Sequence, residues 1–265
     1  MYGIRVVVSY DGTDFAGWQC QPNQRTVQTD LEAAVETLAG QRSRVLGASR
    51  TDSGVHAYGQ IAAFDSPRDI PLFKWVRGLN GALAYDLSVR DAVSVEPGYN
   101  PRYHASGKTY RYLIHLGPTR DPMLRNRAWH LSHRRARPCE GRPEKPEDWL
   151  DVEAMRAAAE TIVGEHDFRA FKASRDPREQ TVRTLSRVDL IWPYQDRMDL
   201  MAMEIRGNAF LHNMVRIIAG TLVDVGREYL PPDCMSRAIA SGERDHVGQT
   251  APAHGLYLVN IELGR

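Results

Sequence analysis

Apolar and polar positions alternate over residues 4–10, and this pattern predicts a strand that closes in an Asp11-Gly12 turn. The period then changes. Val27, Leu31, Ala34, Val35 and Leu38 recur at helical spacing, and Gly40 ends that helix. Residues 44–46 and 60–64 are strand-like and flank a polar, Gly-punctuated loop. Residues 74–83, with Trp75, Val76 and Leu79, predict a second helix, and Leu87–Val95 a further strand. A loop over 99–106 carries Arg102 and His104. The strand over 108–114 then places Tyr110 and Tyr112 on one face and Thr109, Arg111 and Leu113 on the other.

The second half repeats this order. Asp151 caps a helix through Val152, Met155, Ala159, Ile162 and Val163 that closes at Gly164. Residues 184–192 and 198–205 read as a strand pair around Pro193. Residues 207–225 read as a long helix whose apolar set is Met214, Ile217, Ile218, Thr221 and Leu222. Asn208, His212 and Arg216 would form one polar stripe on it. A short helix over 233–240 and a strand over 255–263 complete the pattern. Two rounds of strands and helices without βαβ regularity predict an α+β fold, with helices on one face of a mainly antiparallel sheet. The expected division is 1–115, a basic connector over 116–150, and 151–265. Within the connector, residues 138–148 hold Pro, Gly, Glu and Lys and few apolar side chains, the composition of a loop or linker.

At 265 residues the chain is long enough to bury a full core, and 42% hydrophobic with 25% charged residues excludes disorder over most of it. No apolar run approaches the ~18 residues of a membrane span, and the first residues enter a strand with no signal-peptide layout. Cys20, Cys139 and Cys234 are odd in number and far apart, which fits reduced thiols and a cytoplasmic location. The net charge of +1 conceals an uneven distribution. Only Lys74, Lys108, Lys145 and Lys172 are lysines, so nearly all the basic residues are Arg, whose planar fork suits phosphate and stacks on flat rings. Residues 101–137 hold nine Arg and Lys against the single acid Asp121, with His104, His115, His130 and His133 among them. A local excess of this kind points to a polyanion.

The scattered histidines contain no His-x-x-x-His, the cysteines no Cys-x-x-Cys, and no Gly-rich phosphate loop or Gly-x-Ser-x-Gly elbow occurs. Neither a metal nor a cofactor is therefore expected. What remains is a loop carboxylate, Asp52, with Arg50 two residues before it, an Arg on an apolar helix, strand tyrosines and a basic segment. An Asp-x-Gly alone is an ordinary turn, strand tyrosines commonly serve packing, and His56 or His212 more commonly stabilises structure than catalyses. Taken together, the same groups suit chemistry on a nucleotide removed from its stack.

Arg50-Thr51-Asp52-Ser53-Gly54-Val55-His56-Ala57 closely resembles the signature loop of the tRNA pseudouridine synthase A family. Ser9-Tyr10-Asp11-Gly12-Thr13-Asp14-Phe15-Ala16-Gly17-Trp18-Gln19 resembles its N-terminal strand and turn, and Lys108-Thr109-Tyr110-Arg111-Tyr112 its tyrosine strand. Phe210-Leu211-His212-Asn213-Met214-Val215-Arg216 resembles its second-half helix. Thr250-Ala251-Pro252-Ala253-His254-Gly255-Leu256 resembles its C-terminal motif. These stretches occur in the family's order and span nearly the whole chain.

The resemblance implies two similar α/β halves sharing a central sheet, an active cleft between them, and a homodimer acting on the tRNA anticodon stem-loop. It implies a cofactor-free isomerisation of uridine to pseudouridine at positions 38, 39 and 40. Asp52 would be the catalytic aspartate, either attacking C1′ or removing the C2′ proton. Tyr110 would stack on the target base and help remove the C5 proton, Arg216 would pair with Asp52, so that both join it as catalytic residues, and Arg50 would fill the place of the flipped nucleotide. Arg102 and nearby residues would contact phosphates. Arg50, Tyr110, Arg102, His56 and Lys172 make up the expected substrate-binding set. A non-catalytic tRNA-binding module and an Asp-based nucleotide hydrolase are the alternatives.

Overall fold

The computed structural model describes residues 1–132 and 145–264. In chain order the elements are β1 (Tyr2–Tyr10), α1 (Val27–Ala39), β2 (Leu46–Gly47), β3 (His56–Ser66), α2 (Leu72–Ala82), β4 (Leu87–Val95) and the single turn α3 (Pro101–His104). There follow β5 (Ala105–His115), β6 (Trp129–His130), α4 (Val152–Glu160), β7 (Gly164–Asp167), β8 (Val182–Ile191), β9 (Leu200–Gly207), α5 (Met214–Gly226), α6 (Cys234–Ser241) and β10 (Leu256–Leu263). They form two compact units, Met1–Lys108 with Tyr257–Arg265, and Thr109–Leu256. Both divisions fall inside a strand, β5 and β10. The first comes at Lys108 and the second at Leu256.

In the first unit the strand order is β4-β1-β3-β10, with β2 beside β3. Pairing is antiparallel, with Ile4 opposite Phe64 and Val6 opposite Ala62, except that β10 runs parallel to β3 with Tyr257 opposite His56. The alternation in β1 buries Ile4, Val6, Val8 and Tyr10 on one face. Helices cover that face: Trp75 of α2 is fully buried and meets Phe64 edge-on at 5.1 Å. Burying a large apolar side chain of this kind contributes about 1.5–3 kcal/mol. Thr26 and Thr29 form a capping box at the start of α1, and Gly40 (φ 73°) supplies the left-handed C-cap that stops it.

In the second unit the order is β5-β9-β8-β7, with the short β6 parallel to β5. β7, β8 and β9 pair antiparallel, and α4 packs on α5 and β8. The architecture is α+β with mainly antiparallel pairing. No helix among the described residues is long and apolar enough to cross a membrane.

Three expectations change. The helix expected from 207 starts only at Met214, because β9 runs through Gly207 and Asn213 takes a left-handed φ of 63°. Asn208 and His212 therefore lie on a turn, and Arg216 alone of the expected polar stripe is on the helix. Gly164 does not merely close α4; it opens β7. The loop over 99–106 contains α3, where the Asn100 side chain accepts the Arg102 amide. His133, Arg134, Arg135, Arg137 and residues 138–144 of the expected linker lie outside the described residues, and Pro146–Asp148 form a short 3-10 turn.

Candidate active site

The Asp52 loop is held from several sides within the first unit. The Asp52 carbonyl accepts the Val55 amide at 3.2 Å, closing a turn in which Gly54 has φ 77°, a conformation glycine adopts without steric cost. The Thr51 hydroxyl bonds the Tyr10 hydroxyl at 2.8 Å, and the Thr51 carbonyl accepts the Trp18 amide at 3.0 Å. Upstream, Gln60 bridges the chain: its Oε1 accepts the Ser49 amide at 3.2 Å and its Nε2 donates to the Ser49 carbonyl at 2.8 Å. Gly17 (φ 98°) allows the neighbouring loop to approach, since a Cβ there would lie 2.7 Å from the Thr51 carbonyl oxygen. The result is a half-buried carboxylate on a backbone fixed by β1, β3 and the Trp18 loop. Arg50 is exposed and its guanidinium makes no ion pair among the described residues.

His56 is buried, and its Nδ1 accepts the Gly12 amide at 3.0 Å while lying 3.1 Å from an Asp11 carboxylate oxygen. One ring nitrogen cannot accept from the amide and donate to the acid at once. The same Asp11 oxygen receives the Thr13 amide and hydroxyl at 3.1 and 2.6 Å. Lys108 donates to the Ala48 carbonyl and the Ser49 hydroxyl, both at 3.2 Å, tying β5 to the loop's entry. Arg102 is exposed on α3, beside an open depression of about 770 Å³ lined by residues including Leu46, Tyr99, Tyr103 and His104. Tyr99 and His104 stack there at 4.4 Å.

In the second unit Tyr110 is buried and meets Phe210 edge-on at 5.0 Å. The buried Tyr112 hydroxyl donates to the Pro252 carbonyl at 2.7 Å. Burial pushes its phenol pKa up, against the opposing pull of the Arg216 guanidinium. Arg216 sits in the first turn of α5; its Nε donates to the Ala251 carbonyl at 2.7 Å and its Nη1 to Asn213 Oδ1 at 2.9 Å. The Pro252 and Ala251 carbonyls thus orient Tyr112 and Arg216.

The turn before α5 is pinned by Asp176, a residue that sequence reasoning did not single out. The buried Asp176 carboxylate accepts the His212 amide at 3.0 Å and the Arg178 Nε at 2.8 Å, and Arg178 Nη1 donates to the Phe210 carbonyl at 3.2 Å. Its Arg178 partner holds the Asp176 carboxyl well below the usual carboxylate range. The available signal was Asp-Pro-Arg, a spacing that folds an Arg back on an Asp. Lys172, half-buried, donates from Nζ to the Arg178 carbonyl at 2.8 Å. The structure therefore gathers Arg50, Asp52, His56 and Arg102 in the first unit, and Tyr110, Lys172 and Arg216 in the second. Among the described residues no group of three or more His, Cys, Asp or Glu is placed to hold a metal.

The profile of a family described as tRNA pseudouridine synthase matches residues 6–104 and 158–262, most of the chain. The chain belongs to the tRNA pseudouridine synthase family. A Geotalea uraniireducens (strain Rf4) protein named tRNA pseudouridine synthase A is 41% identical over 261 residues, 98% of this chain and 99% of the relative. A protein of the same name from Bacillus licheniformis is 43% identical, covering 97% and 98%. One from Acetivibrio thermocellus is 40% identical, covering 98% and 99%. Of the candidate residues, Arg50, Asp52, His56, Arg102, Lys172 and Arg216 fall inside the segments matched by the pseudouridine synthase profile, while Tyr110 lies between them.

Proposed function

We propose that this protein isomerises uridine to pseudouridine in the anticodon stem-loop of tRNA, at positions 38, 39 and 40, as a cytoplasmic homodimer. The observation that carries the reading is a half-buried carboxylate, Asp52, on a backbone fixed from several sides, in a chain of the tRNA pseudouridine synthase family. The net reaction moves no atom out of the base except one proton. The N1–C1′ bond breaks, the uracil turns, the C5–C1′ bond forms, C5 releases its proton to solvent and N1 gains one. Asp52 acts on the sugar, by attack at C1′ or by removal of the C2′ proton.

Tyr110 supplies a flat face for the base, and Arg216 contributes a guanidinium to the catalytic set. Arg50, exposed and without an ion pair among the described residues, is suited to fill the gap left by the flipped nucleotide. Arg102, His56 and Lys172 complete the binding set. The test is tritium release from unmodified tRNA carrying C5-tritiated uridine. Wild-type protein is expected to release tritium, and Asp52→Asn to bind the tRNA with wild-type affinity while releasing none. Tritium release by Asp52→Asn at the wild-type rate would remove the aspartate from the mechanism. Tight tRNA binding by wild type without release would make the protein a binding module.

A further inference from the structure

Tyr58 lies two residues beyond the buried His56 on β3 and ends a column of three rings. His56, 2% exposed, stacks on Tyr257 with centroids 4.6 Å apart and planes at 22°. Tyr257 in turn stacks on Tyr58 at 5.4 Å and 10°. The column follows from the parallel pairing of β3 with β10, which sets Tyr257 opposite His56. Tyr58 is the outer ring. Tyr257 covers one of its faces, yet it remains 45% exposed and makes no hydrogen bond among the described residues. One face of the ring is closed and the other is open. A tyrosine so placed is already ordered, and a second flat ring can stack on it without the cost of immobilising the side chain.

We propose that Tyr58 is a stacking subsite for an unpaired nucleobase of the RNA substrate, separate from the residue that holds the target uridine. The ligand class follows from the geometry and from the surroundings. Every base offers a π-face to an aromatic ring, and single-stranded segments are recognised in this way. The same loop-and-strand segment carries the exposed Arg50, a cation suited to a polyanionic ligand. The column also links the subsite to the loop, because His56 at its inner end accepts the Gly12 amide beside the Asp52 turn. A base seated on Tyr58 fixes the RNA relative to Asp52 without touching the reacting atoms, so Tyr58 is a positioning residue. The proposal rests on the reading of the protein as a tRNA-modifying enzyme.

The experiment measures tritium release and fluorescence-anisotropy binding with one unmodified tRNA transcript, for wild type and for Tyr58→Ala, Tyr58→Phe and Tyr58→Leu. Loss of one base–aromatic stack predicts that Tyr58→Ala raises KM and Kd about tenfold with kcat within about twofold of wild type. Tyr58→Phe keeps the ring and is expected to behave as wild type. Tyr58→Leu still covers Tyr257 with apolar surface but offers no π-face, and is expected to follow Tyr58→Ala. Wild-type KM and Kd in Tyr58→Ala overturns the proposal, and so does full recovery in Tyr58→Leu. If wild type releases no tritium, the isomerase reading fails. In that event a tenfold rise in the Tyr58→Ala Kd still supports the subsite, and an unchanged Kd overturns it.

Discussion

Replacing Asp176 by Ala removes the acceptor on which the turn before α5 depends. The carboxylate, 2% exposed, accepts from the Arg178 amide at 3.1 Å, from Arg178 Nε and Nη2 at 2.8 and 2.5 Å, and from the His212 amide at 3.0 Å. Breaking a fully buried ion pair costs about 3–5 kcal/mol. The Arg178 side chain is 42% exposed and regains water when released, so most of its share is discounted. What remains is chiefly two amides deprived of an acceptor, each worth about 1 kcal/mol. The expected loss is about 2–3 kcal/mol. At about 2 °C per kcal/mol for a chain near this size, the melting temperature at pH 7 falls by roughly 4–6 °C.

The pH dependence gives a second reading of the same group. Its carboxyl pKa is lower in the folded protein than the unfolded value of about 3.9, so its contribution is complete above that pH and is lost as pH falls through the folded value. Calorimetry across pH 3–7 should find the gap between wild type and Asp176→Ala full at pH 7 and narrowing below about pH 4. A melting temperature at pH 7 within about 1 °C of wild type, or a gap that widens in acid, would refute the reasoning.

Gly17→Ala forces a Cβ to within 2.7 Å of the Thr51 carbonyl at a φ of 98°, so the backbone beside Asp52 must shift. Tritium release should fall at least about tenfold with tRNA affinity kept, and an unchanged rate would show that the loop tolerates movement. His115 is buried, lies 3.3 Å from Asp199 and tilts against His130 at 4.9 Å, while Arg197 bonds both Asp199 and Asp121. Burial, then His130, lowers its pKa below the ordinary 6.5, so the unfolded chain takes up the proton first and stability falls as pH drops below about 6.5. His115→Gln should flatten the stability slope between about pH 7 and 5, and a His115 imidazole titrating by NMR at or above 6.5 would contradict this.

Regular elements with a clean period were legible from the sequence. Leu87–Val95 coincides with β4, and the spacing from Val27 to Leu38 gives α1 with its Gly40 stop. The start of α5 was not legible, because the apolar period runs on through Phe210 and Leu211 and only the left-handed Asn213 interrupts the helix. β7, Gly-Glu-His-Asp, has no apolar alternation to reveal it; its ladder with β8 makes it a strand. Asp52 stood out because a carboxylate between glycines in a loop is read from residue type. Part of what orients Arg216 and Tyr112 is the Ala251 and Pro252 carbonyls, and a backbone group leaves no trace in residue type. Arg50 shows the converse: its spacing from Asp52 was visible, but its exposed side chain makes no ion pair among the described residues.

Because the first unit includes Tyr257–Arg265, the strand that leads out of the Asp52 loop gains its β10 neighbour only when that late segment has been synthesised. Residues 109–256 form a continuous unit, so on the ribosome they can finish folding while the first-made unit still lacks a strand. The order of completion then reverses the order of synthesis. β3, made early, gains its last sheet neighbour only after the whole second unit has been synthesised.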